Sequence, residues 1–164
     1  MLNVILETCA GTLTQGLIYA ILSYGIFITY KILDFPDLTV DGSFPLGAAV
    51  TAVLLTHGVN AWLTLPIALV IGALAGLCTG LIHVRAKVRD LLAGIITMTA
   101  LYSINLQIAG SNLMVERAID TIYTSAPVMA LLGSVPLLYR KLIVSLVLVV
   151  LIGLVLEWYF STKN

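Results

Sequence analysis

The sequence predicts an all-α, polytopic membrane protein with about five membrane segments, one of them short or broken. Two observations carry this. Sixty per cent of the 164 residues are hydrophobic and only 10% are charged, against roughly half and a quarter in soluble domains. The charged residues are also clustered, so that several uncharged runs reach the roughly 20 residues that a spanning helix needs. Lipid acting as solvent accounts for both. The chain reads as a single transmembrane domain over 1–164, without a soluble domain.

The first uncharged run lies between Glu7 and Lys31 and predicts a helix at about 13–32. The first basic residue is Lys31, so the N-terminus lacks the basic region of a signal peptide and the run is expected to stay in the mature chain. A turn-rich acidic connector follows, Asp34 to Pro45, punctuated by Pro36 and Gly42. Asp41 or Ser43 is positioned to cap the next helix, with Pro45 in its first turn.

From Gly42 to Val84 no charge appears, and His57-Gly58-Val59-Asn60 divides this stretch in two. The first piece, 44–57, is short for a crossing. It is a half-helix inside the protein or a tilted span that begins within the connector. The second, 61–82, is a full span carrying Gly72, Gly76 and Gly80 at four-residue spacing. These glycines share one face, which serves helix packing or lines a pathway. After a basic hairpin with Arg85, Lys87 and Arg89 comes a span at 91–112. The stretch from Glu116 to Lys141, with Pro127 and Pro136, reads as a surface loop holding one short interfacial helix. The last span covers 141–160.

Short cytoplasmic loops carry an excess of Lys and Arg. Placing the basic hairpin in the cytoplasm puts Lys31, Arg85, Lys87, Arg89 and Lys163 inside, against Arg117, Arg140 and Lys141 outside. The N-terminus then lies outside and the C-terminus in the cytoplasm.

The residue inventory does not point to an enzyme. His57 and His83 both sit at helix ends, and no spacing argues for a nucleophile–His–acid set. No phosphate-binding G-x-x-x-x-G-K-S/T loop is present, so any ATP used must be hydrolysed by a partner. No metal-ligand spacing appears, and Cys9 and Cys78 read as small hydrophobes. No basic patch invites nucleic acid. Polar groups at membrane depth face protein or a watery cavity. The candidates for a solute pathway are Asp41 and Ser43 in the connector, then Thr99, Ser103, Asn105 and Gln107 in the fourth span. Thr99, Ser103 and Gln107 share a face at i, i+4, i+8, whereas Asn105 and Gln107 do not share a narrow one. Inter-helix hydrogen bonding is the first reading of the polar residues in the fourth span and a solute pathway the second, and the connector reads as a solvated loop or a broken-helix entrance.

The run Asp37-Leu38-Thr39-Val40-Asp41-Gly42-Ser43-Phe44-Pro45-Leu46-Gly47-Ala48-Ala49-Val50 resembles the signature after the first helix in bacterial ABC-importer permeases. The group is the branched-chain amino acid and ribose permease superfamily, in particular its uncharacterised or aromatic amino acid subgroup. The helix order and basic hairpin agree along the whole chain. The resemblance implies a permease subunit in the bacterial inner membrane, paired with a second permease copy. It also implies a cytoplasmic ATP-binding subunit, an extracytoplasmic solute-binding protein, and a small polar solute such as an amino acid. No cofactor is implied. Family members are longer and carry a cytoplasmic coupling segment after the equivalent of Glu157-Trp158-Tyr159-Phe160, so this chain is expected to be the N-terminal part. Two further readings stand beside it: an ATP-independent carrier or channel, and a non-transporting truncated fragment.

Overall fold

A computed structural model describes residues 1–34, 37–110 and 119–162. The described residues form helices without strands: α1 (Leu2–Leu33), α2 (Thr39–Thr56), α3 (Ala61–Ala86), α4 (Asp90–Ala109), a short α5 (Ala126–Leu132) and α6 (Leu137–Thr162), with a 3-10 turn at Ile122–Thr124. Five of these, all but α5, are long and apolar enough to cross a membrane. Large apolar side chains of the spans, such as Leu69, Leu77 and Leu154, lie on the surface. In water that would be untenable; against acyl chains it costs nothing. The chain is a multi-pass membrane protein.

The chain divides into two compact units, residues 1–25 with 123–164 and residues 26–122. In the second unit α2 packs on both α3 and α4. Small residues make this possible. A Cβ added to Gly42 would lie 3.1 Å from both the Leu101 Cβ and the Met98 Cα, so only glycine allows the α2 backbone this close to α4. Leu46, Ala75 and Leu101 form the buried core, with Val50, Ile71 and Ile108 against it. The α2–α3 contact is tied by the buried hydroxyls of Thr39 and Thr79, 2.7 Å apart. In hydrocarbon such pairs supply the adhesion that lipid-facing leucines cannot.

Helix ends differ from the sequence expectations in informative ways. α1 starts at Leu2 rather than near residue 13, because Glu7 and the threonines near it are compatible with helix: Thr8 and Thr12 return their hydroxyl protons to the carbonyls of Val4 and Thr8. α2 starts at Thr39, inside the connector, which selects the span that begins there over a half-helix. Neither Asp41 nor Ser43 caps it. The carboxylate of Asp37 accepts from the Thr39 N–H at 2.8 Å. Asp41 therefore sits in the first turn, and Pro45 lies inside the helix rather than at its start. Asn60 caps α3 by accepting from the Trp62 N–H at 3.0 Å. Lys87, at φ 53°, ends α3 in a left-handed conformation. His83 then closes the short turn into α4, its Nδ1 donating to Asp90 Oδ1 at 2.7 Å and to the Val88 carbonyl at 2.9 Å.

In the first unit, Arg140, Ser145 and Val149 form the buried face of α6. Gly153 on that helix leaves room for Tyr24, whose Oη would lie 2.9 Å from a Cβ there. Arg140, though 6% exposed, meets no carboxylate among the described residues. Its Nη2 donates to the carbonyls of Val135 and Gly133, and its Nη1 to the Tyr123 carbonyl and the Met129 sulfur. One guanidinium thus gathers the segment before α6 onto the start of that helix. The expected surface loop holds α5 as its short helix, whereas Glu116, Arg117 and Lys163 lie outside the described residues.

Candidate functional site

The site grows out of a defect in α2. Pro45 has no N–H, so the Asp41 carbonyl loses its intrahelical donor, and the ring crowds the turn before it. Such freed groups are satisfied in membranes by neighbouring helices. One residue along from that freed carbonyl, Asn105 of α4 reaches across and donates from Nδ2 to the Gly42 carbonyl at 3.1 Å. The glycine that allows the close approach thus also supplies the acceptor.

Beside this bridge lies a cavity of about 500 Å³ between α2 and α4. From α2 it is lined by Asp41, Gly42, Pro45 and Ala49, and from α4 by Met98, Thr99, Tyr102, Asn105, Leu106 and Ala109. This size falls within the range of small-molecule pockets. The walls are mostly apolar. The lining residues with polar side chains are Asp41, Thr99, Tyr102 and Asn105. Thr99 donates to the Ile95 carbonyl at 2.8 Å, leaving its oxygen free to accept. The Oδ1 of Asn105 is buried without a hydrogen-bond donor. No Lys, Arg or His is among the lining residues.

Of the six sequence candidates, the cavity brings together Asp41, Thr99 and Asn105. Ser43 donates to its own helix at the Val40 carbonyl, 3.4 Å away, and is not part of the lining. Ser103 and Gln107 are exposed and lie outside the lining as well. The reason is angular. At about 100° per residue, Thr99, Tyr102, Asn105, Leu106 and Ala109 fall on one side of α4, and Ser103 and Gln107 turn away from it. Pro45, Met98 and Tyr102 went unassigned from sequence; the one signal for them is a proline inside a helix, visible only once α2 is known to begin at Thr39. Gly72, Gly76 and Gly80 have nothing within 4 Å of an added Cβ. The α3 face that packs within this chain carries Thr64, Ala75 and Thr79 instead. Among the described residues no group of His, Cys, Asp and Glu is arranged to hold a metal ion.

Residues 8–163 match the family described as "Branched-chain amino acid transport system / permease component". The chain belongs to this permease family. Its members are transport permeases rather than enzymes. Among curated proteins, the chain is similar to the "Tyrosine transport system permease protein" of Clostridioides difficile (strain R20291), 46% identical over 102 residues, which is 62% of this chain and 35% of that one. It is also similar to "Uncharacterized protein RP368" of Rickettsia prowazekii (strain Madrid E), 40% identical over 96 residues, 58% of this chain and 34% of that one. The matched regions thus cover about a third of the length of each of these two relatives. No solved structure matches the chain.

Proposed function

We propose that this chain is membrane-spanning permease material of an ABC importer and that the α2–α4 cavity forms part of the pathway of a small polar solute such as an amino acid. The observation that carries the reading is the cavity itself: an apolar-walled space beside a proline-containing helix, lined also by a few polar residues, in a chain of a permease family. The name of the Clostridioides relative favours an amino acid as solute. In this reading a cytoplasmic ATP-binding subunit drives transport and an extracytoplasmic binding protein delivers the solute. A second permease copy completes the pathway, and the α3 glycines, with no neighbour within 4 Å of an added Cβ, are free to meet it. The membrane is the bacterial inner membrane, with the N-terminus outside and the C-terminus in the cytoplasm.

The test is uptake of labelled amino acids by proteoliposomes holding the complete permease, its ATPase and its binding protein. Uptake is expected to require ATP, and Asn105→Leu is expected to lower it by roughly tenfold or more through loss of the Gly42 bridge at the cavity. Uptake that persists without ATP would replace this reading with an ATP-independent carrier.

A further inference from the structure

The polar groups of the cavity share one property: each can accept a hydrogen bond, and none carries a positive charge. Asp41 offers a carboxylate, and no cation among the described residues is paired with it. The Asp41 carbonyl is freed by Pro45. Asn105 is held in one orientation, because its Nδ2 must face the Gly42 carbonyl to donate at 3.1 Å. Its Oδ1 is thereby left buried with no donor. That oxygen is closed off from the cavity, so Asn105 serves the site by holding the Gly42 backbone and not by contacting a ligand. The hydroxyl proton of Thr99 is already committed to the Ile95 carbonyl, so Thr99 too has an acceptor to offer. Around this acceptor-rich end, Pro45, Ala49, Leu106 and Ala109 present hydrocarbon.

We infer that the α2–α4 cavity selects the ammonium end of its ligand: a primary amine bound at the Asp41 carboxylate, with an apolar body against the opposite walls. A free carboxylate is not accommodated here, since nothing in the lining carries the charge to balance it. For a zwitterionic amino acid, the carboxylate must then be met by groups outside this cavity. The inference rests on the cavity being a solute site, and it adds which end of the solute the site reads.

The experiment uses the chain in lipid nanodiscs with Cys9→Ala and Cys78→Ala, so that Met98→Cys places one thiol in the cavity wall. Alkylation of that thiol is timed with tyramine, which has an amine and no carboxylate, and with 3-(4-hydroxyphenyl)propionate, which has the same ring with a carboxylate and no amine. Tyramine is expected to protect the thiol and the acid is not. Asp41→Asn is expected to weaken tyramine protection by roughly tenfold to a hundredfold, the worth of a hydrogen bond to a charged group, and Asp41→Glu to restore most of it. Protection by the acid equal to or better than that by tyramine would overturn the inference while leaving the cavity as a solute site. So would tyramine protection indifferent to Asp41→Asn. If tyramine, the acid and tyrosine all fail to protect while alkylation proceeds, the cavity reading falls and the inference falls with it.

Discussion

Gly42→Ala is the sharpest probe of the α2–α4 contact. The new methyl would sit 3.1 Å from the Leu101 Cβ and 3.1 Å from the Met98 Cα, with Leu101 Cδ1 at 3.2 Å. Carbon atoms prefer about 3.5–4.0 Å. One of the offending atoms is backbone, so a rotamer change cannot clear it and the helices must move apart by several tenths of an ångström. Overpacking of this kind costs about 1–3 kcal/mol. Alanine returns up to about 1 kcal/mol of helix propensity over glycine. The separation also stretches the Asn105–Gly42 bond, now 3.1 Å, toward the length at which it ceases to count. The net effect is a loss of about 1–2 kcal/mol. Gly47→Ala is the matched control, because its methyl would lie 3.9 Å from the Ala68 Cβ, an ordinary contact. Thermal unfolding in detergent, followed by the far-UV helical signal, should show Gly42→Ala melting several degrees low and Gly47→Ala melting at or above the parent. Equal midpoints for the two variants would refute the close-packing argument.

Other substitutions address the remaining contacts. Gly153→Ala should destabilise, because its methyl meets the Tyr24 hydroxyl, and Tyr24→Phe in the same chain should recover most of the loss in the same melting assay. Lys87→Gly should raise stability by about 0.5–1 kcal/mol, since the left-handed φ of 53° strains any residue with a Cβ. A double-mutant cycle of Thr39→Val and Thr79→Val should give a coupling of about 0.6 kcal/mol, the usual worth of a polar pair between membrane helices. Arg140→Lys keeps the charge but loses the fork that serves Tyr123, Gly133 and Val135 together; limited proteolysis should then cut more readily within 122–136 while the spans stay protected.

The spans were legible because charge is excluded from hydrocarbon, and the runs between Glu7 and Lys31 or from Ala61 to Ile82 admit no other use. Which face of each span packs was not legible. These helices are apolar all round, so no amphipathic stripe marks the inside. On α3 the Gly72, Gly76 and Gly80 stripe is the one visible pattern, whereas the buried face within the chain carries Thr64, Ala75 and Thr79. The start of α2 was hidden because Asp37 caps it from outside, leaving Asp41 and Ser43, good capping residues, inside the first turns. Half of the site candidates, Asp41, Thr99 and Asn105, line one cavity, while Ser103 and Gln107 on the same helix face away from it. The pairing that builds that cavity joins Asn105 to a carbonyl 63 residues earlier, and no local pattern encodes such a distance.

The length of α2 carries a consequence for the surrounding lipid. Its 18 residues rise about 27 Å, whereas the 32 residues of α1 rise about 48 Å. Hydrocarbon about 30 Å deep leaves the longer rod free to lean but gives the shorter one nothing to spare. Thickening the bilayer with longer acyl chains would draw the first turn of α2, and Asp41 with it, toward oil. Either the membrane puckers there or that turn unwinds. The carboxylate at the cavity mouth is thus a gauge of membrane depth, and short-chain lipids should suit this protein best.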